Sequence, residues 1–215
     1  MNCNYGVMDL PDHLELPLVS GASWWYWLGG RPATDLVNTH RERWWRNVET
    51  LVTPTDLSLW LERAGLLDGP AAVTDSQLRA ARRLRTAIDA GIQAAINHAG
   101  TPSTVVNVIN RWLTHATPPK GLTVCGDGVP VLGVTPPADL IRHALARIAV
   151  DAAILLGTEQ RERLRVCASE TCSARFYDAS PAATRRWCSM TGCGNAAKAR
   201  RHRARQSSHA LATRT

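Results

Sequence analysis

Cys167-Ala-Ser-Glu-Thr-Cys172 and, 15 residues further on, Cys188-Ser-Met-Thr-Gly-Cys193 decide how the last quarter of this chain folds. Two close pairs of thiols at this separation meet the needs of a tetrahedral metal site. Each pair brackets the ion from one knuckle, and the segment between them closes the loop. Zinc suits four thiolates because it imposes no d-electron geometry, so Cys167, Cys172, Cys188 and Cys193 are the expected ligands of one zinc ion. Paired disulfides and an iron–sulfur cluster are the alternatives. A reducing compartment disfavours the first, and the wide spacing disfavours the second.

Working outward, Ala174-Arg-Phe-Tyr-Asp178 is a short strand signal stopped by Ser180-Pro181, and Arg185-Arg-Trp187 is its expected partner. After the second pair, residues 196–205 lack Gly and Pro and are rich in helix formers. Knuckle, hairpin and ligand-bearing helix make a treble-clef-like order, with Cys193 at the helix N-terminus, where the dipole favours a thiolate. At 100° per residue, Lys198, Arg201, His202 and Arg205 share an arc of roughly 100°, while Arg200 and Arg203 lie on the other side. These six are the expected DNA-contacting residues. A solvated basic face is the plain alternative.

The charge is distributed to match. The chain of 215 residues carries a formal +7, yet from Arg161 onward there are 12 Lys+Arg against 3 Asp+Glu, and before it 13 against 15. A near-neutral body joined to a basic end points to a polyanionic partner, and the absence of a broad apolar face on that end favours nucleic acid over a membrane surface. With 45% apolar and 20% charged residues the chain is of ordinary globular composition. The first basic residue is Arg31, so no charged leader followed by an apolar run is expected, and the cytoplasm is the expected compartment. The most apolar stretch, 138–157, is broken by Asp139, Arg142, His143, Arg147 and Asp151 and reads as a buried helix.

The body reads as mainly helical. Pro54-Thr-Asp56 opens a short helix that stops at Gly65. Thr74-Asp-Ser-Gln77 is a capping-box start for a helix of about five turns whose stripe is Leu78, Ala81, Leu84, Ile88, Ile92 and Ile96. Residues 103–116 repeat that pattern more briefly. Leu122–Cys125 and Val129–Leu132 flank Gly126-Asp-Gly128 as a β-hairpin, with Cys125 a buried strand residue. The expected class is α+β: an arm over 1–28, a mainly helical domain with a small hairpin over 29–160, a small treble-clef-like zinc finger over 161–206, and a disordered tail over 207–215. The shift in charge near 157–161 predicts that the first domain folds without the finger.

These residues resemble a known family. Cys167–Cys172, Arg175-Phe-Tyr-Asp178, Ser180, Arg186-Trp-Cys-Ser-Met190 and Cys193-Gly-Asn195, with Lys198, Arg200 and Arg203, are similar to the CGNR-type zinc finger of bacterial proteins. Gly30-Arg-Pro-Ala-Thr-Asp-Leu-Val-Asn-Thr39, Thr53-Pro-Thr-Asp-Leu57, Trp60-Leu61 and Ala64-Gly-Leu66 look like the opening of its companion N-terminal domain, ABATE. The resemblance spans residues 29–205 and implies a zinc-dependent, stress-induced transcription regulator acting on double-stranded DNA. It departs at one place: the signature Arg is Ala196 here, which removes a cation from the Arg200 and Arg203 side.

Asp35, Asn38, Thr39 and Arg41 form a polar set beside Leu36 and Val37, a candidate pocket for a small-molecule effector. Backbone satisfaction at a helix end is the competing reading. The cluster of Trp24, Trp25, Trp27, Trp44 and Trp45 suits core or homodimer surface better than an aromatic ligand cage. Arg79, Arg82, Arg83 and Arg85 on the long helix are a second candidate phosphate strip, or else a solvated face. No Ser/His/Asp, Walker or GxGxxG pattern appears, so a non-enzymatic role is expected. The alternatives to a DNA-binding regulator are an RNA-binding or protein-docking zinc module and an enzyme with its site hidden in the helical body.

Overall fold

The computed structural model describes residues 10–117, 120–124, 126, 128–135 and 137–212, with side chains to 206. Cys125 and the expected disorder of 213–215 lie outside the described residues. The elements run α1 (Pro32–Val37), β1 (His40–Arg41), β2 (Val48–Glu49), α2 (Pro54–Arg63), α3 (Asp75–Ile96), α4 (Ser103–Leu113), β3 (Lys120–Val124), β4 (Pro130–Val134), α5 (Leu140–Gly157), β5 (Leu164–Val166), β6 (Arg175–Tyr177) and α6 (Asn195–Ala212). The class is α+β: a mainly helical body with small antiparallel hairpins, followed by a small zinc finger.

Local chemistry sets the helix starts. Thr53 and Asp56 close a capping box on α2, and Thr74 and Gln77 close another on α3, each satisfying donors that the first turn leaves unpaired. Gly65, at φ +68°, provides the left-handed stop after α2. The stripe of α3 (Leu78, Ala81, Leu84, Ile88, Ile92) packs against α1, α2, α4 and α5. Trp60, Leu61, Leu145, Ile148 and Leu155 complete the fully buried centre. Burying each such large side chain contributes about 1.5–3 kcal/mol. Helix α5 presents Ala144, Ala149 and Ala152 to this core. Gly91 of α3 lets Leu156 of α5 close in, since a Cβ there would sit 2.6 Å from Leu156 Cδ1.

The described part of the arm is tied to the body by its tryptophans: Trp25 is buried and its Nε1 donates to the Thr50 carbonyl at 3.1 Å, while Trp27 stacks on Trp60 at 5.5 Å. Two expectations need correction. In the finger, β6 pairs with β5, which precedes the first cysteine, through Leu164↔Tyr177, Arg165↔Phe176 and Val166↔Arg175. Residues 185–187 form no strand. They make single contacts instead, Arg186 accepting from the Ala168 amide and Arg185 donating to Asp178. The first knuckle is thus the tip of a hairpin. Finally, the helical backbone after Cys193 continues to Ala212, because nothing between 205 and 212 is a Gly or Pro breaker.

The shift in charge does not coincide with a break in packing. Leu164 of β5 belongs to the core of the body, and Leu28 of the body packs into the finger cluster of Cys167, Cys172, Ala174, Phe176 and Cys188.

Candidate metal centre and basic helix

The four sulfurs of Cys167, Cys172, Cys188 and Cys193 all lie within 4.8 Å of one another. Cys172 and Cys188 are 3.8 Å apart, and Cys188 and Cys193 are 3.7 Å apart. A tetrahedral ion with zinc–sulfur bonds of about 2.3 Å has sulfur–sulfur edges of about 3.8 Å. The four thiols are free, and these separations are far above the length of a disulfide bond. The cluster has the size and donor chemistry of a structural zinc site with no open position. Hydrogen bonds among the four thiols pull Cys167 and Cys193 down and push Cys172 and Cys188 up, so the sulfurs share their protons as one set.

Backbone bonds shape both knuckles. The Cys167 amide donates to the Ala174 carbonyl at 2.9 Å, and the Cys172 amide donates to Ser169 at 3.1 Å. In the second knuckle a wide turn over 190–194 is capped by the Ser189 hydroxyl, which accepts from the Gly192 amide. Arg185 donates to the Cys188 carbonyl at 2.8 Å and lies over the buried Phe176 ring. Asp178, closed off from solvent, accepts from the Ser180 amide and hydroxyl and from the Arg185 amide. Burial pushes its carboxyl up, but the bonds from Ser180 and Arg185 outweigh that and leave it below the ordinary value.

Helix α6 leaves the centre two residues after Cys193. Lys198, Arg201, His202 and Arg205 are exposed along one side of it, and Arg203 is also exposed. Arg200 is different: its guanidinium reaches back to Glu170 at 3.4 Å and to the Ser169 hydroxyl at 3.3 Å, anchoring the helix to the first knuckle. Ala196, where the signature cation is missing, is exposed on that same side.

The candidate pocket set proves to be a set of structural ties. Asp35 accepts from the Gly29 amide at 2.8 Å, and burial together with the nearby Asp151 raises its carboxyl to about 7. The Asn38 amide pairs with the Arg175 backbone in both directions at 2.8 Å, standing in for a strand beside β6. Thr39 bonds back to Leu36 at the end of α1. Arg41 is buried over the Tyr26 ring and donates to the Trp24 carbonyl. A surface cavity of about 650 Å³ opens elsewhere, between the end of α3 and the start of β5, lined by Ala95, Ile96, His98, Arg161, Glu162, Leu164 and Arg165. Of the second arginine strip, Arg82 and Arg85 turn inward onto Leu51 and Glu49, while Arg79 and Arg83 are exposed.

The sequence reading missed the ties between body and finger. Arg175 is buried and pairs with Asp89 of α3 at 2.8 Å, and Arg43 reaches the same carboxylate at 3.5 Å. Asp151 of α5 binds the Arg31 guanidinium and the Ala33 amide at the start of α1. A lone acid in an apolar helix was the available signal for Asp151; Asp89 and Arg175 gave none.

Comparison with known families gives two matches. Residues 30–159 match the ABATE family, described as "Putative stress-induced transcription regulator", and residues 163–206 match the CGNR zinc finger. No curated protein matches the chain. Among the described residues no helix is long and apolar enough to cross a membrane.

Proposed function

Since the chain belongs to the ABATE family and ends in a CGNR zinc finger, we propose that it is a non-enzymatic transcription regulator that binds double-stranded DNA through α6. The observation that carries this reading is the exposed face of Lys198, Arg201 and Arg205, held in a fixed direction by Cys193 at one end and by the Arg200–Glu170 contact beside it. Zinc, when bound, supplies charge and closure to the two knuckles; the chain's own residues orient the helix. Over 18 residues α6 rises about 27 Å, enough to follow several phosphates. Each phosphate neutralised adds about −0.9 to the slope of log K against log salt, so replacing all three cations by Ala should flatten that slope by about two to three units. Unchanged affinity and slope in that triple variant would overturn the reading and favour a protein-docking finger; equal loss on duplex RNA would favour an RNA target.

Two further parts belong to the proposal. The place for a small-molecule effector is the cavity beside β5 rather than the set around Asp35, because Leu164 and Arg165 in its wall lead directly into Cys167. Homodimerisation is supported by the β3–β4 hairpin. Leu122, Val124, Leu132 and Val134 are 66–72% exposed, and the register places all four on one face. An isolated two-stranded hairpin is marginal in water, and an apolar edge paired with its own copy about a two-fold axis is self-complementary by construction.

A further inference from the structure

Of the eight tryptophans, Trp44 and Trp45 are 52% and 56% exposed, side by side on the turn between β1 and β2. The turn is stiff. Glu42 and Asn47 take left-handed backbone angles at its two ends, the Trp45 and Asn47 amides both donate to the Glu42 carbonyl, and Arg46 bridges the Glu42 carboxylate at 2.6 Å and the Leu10 carbonyl at 3.1 Å. Two large aromatic surfaces are therefore held in the open by a braced backbone, so a partner that covers them gains apolar contact with little ordering cost.

Their position suggests the partner. Trp44 Nε1 donates at 3.0 Å to the carbonyl of Glu170 in the first zinc knuckle, and the Arg175 guanidinium lies over its ring. The carboxylate of the same Glu170 receives Arg200 of α6. The aromatic turn and the knuckle thus meet the basic helix at Arg200, on the side of α6 that also carries Arg203 and faces away from Lys198 and Arg205. The chain from Arg161 onward holds 12 Lys+Arg against 3 Asp+Glu. Charge of this sign next to exposed indoles is complementary to nucleic acid, which offers phosphates and, beside them, sugars and base faces.

We infer that the Trp44–Trp45 turn is a second contact arm on DNA, with Trp45 lying against the sugars and bases that flank α6 on its Arg200 and Arg203 side. The inference rests on the α6 reading above and deepens it. Trp44 is tied to the knuckle and sets the position of the arm; Trp45, whose ring meets Arg46 at 4.8 Å, is the exposed tip.

An indole contact releases no counterions, so its signature differs from that of α6. Full-length zinc-loaded protein should be titrated with a duplex bound by the wild type over a series of salt concentrations. Trp45→Ala is expected to weaken binding about tenfold at every salt concentration without changing the slope, and Trp45→Phe to recover most of the loss. Melting temperature and zinc content of both variants report whether the fold is kept. Wild-type affinity in Trp45→Ala overturns the inference. If the Lys198, Arg201 and Arg205 variant still loses slope in that case, the α6 reading stands alone. A wild type that binds no duplex removes both.

Discussion

Asp35 shows how a single residue can be legible in type while two roles stay open. Its neighbours Asn38, Thr39 and Arg41 share the polarity of a pocket, but their partners lie at Gly29, Arg175, Leu36 and Trp24. The partner of Asn38 is 137 positions away, which no local pattern reports. The environment of Asp35 has a thermodynamic consequence. Burial raises its carboxyl to about 7 in the folded protein, against 3.8 as the ordinary value. The folded state therefore keeps a proton that the unfolded state releases, and stability falls as pH rises from about 4 through about 7. Asp35→Asn keeps an oxygen for the Gly29 amide and removes the buried charge. The variant should exceed the wild type only modestly at pH 5 and by a larger margin at pH 8, the gap widening by on the order of a few kcal/mol. Parallel thermal melts at the two pH values check this. A difference that does not grow with pH would show that Asp35 carries no such penalty.

At the scale of elements, the sequence is most legible where one short-range cause suffices. The capping box and the stripe of α3 lie within a few residues of the backbone they organise, and both form as the pattern says. The paired cysteines are equally local within each knuckle. The strand pairing of the finger was not legible, because the alternation of Leu164-Arg-Val166 is only three residues long, too short to set it apart from a linker, and Arg185–Trp187 looks equally extended. Helix α6 has the opposite weakness. Its residues 201–206 are all exposed, so no apolar stripe holds it and its start depends on the second knuckle. Helices without packing are marginal in water. Stripping zinc with a strong chelator should therefore remove helical signal equivalent to much of α6, and Cys188→Ser should do the same without chelator. Far-ultraviolet circular dichroism with parallel metal analysis measures both. Retained signal in metal-free protein would mean that the thiol cluster alone holds the helix.

For the whole molecule, charge and packing divide the chain differently. Composition marks a boundary near 157–161, whereas Leu164, Asn38, Asp89 and Gly29 bind the finger to the body across it. Removal of residues 164–215 should consequently lower the melting temperature of the body and expose part of its core, which dye binding and calorimetry would report; a truncation that melts like the full chain would restore the picture of separable domains. The apolar hairpin predicts a second property. Leu122→Glu together with Leu132→Glu should give monomers by sedimentation with the fold unchanged, whereas the wild type should sediment as a dimer. A monomeric wild type would remove the hairpin from the dimer reading. Helix α1 links these parts. Its first turn is held by Asp151 of α5, and Asn38, just past its last turn, grips β6. Six helical residues thus form a strut between the centre of the body and the strand that ends the first zinc knuckle. A small rotation of α5 would turn α1 as a unit and arrive at the metal site as a displacement of β6, giving a regulator of this build a mechanical route from its interior to its finger.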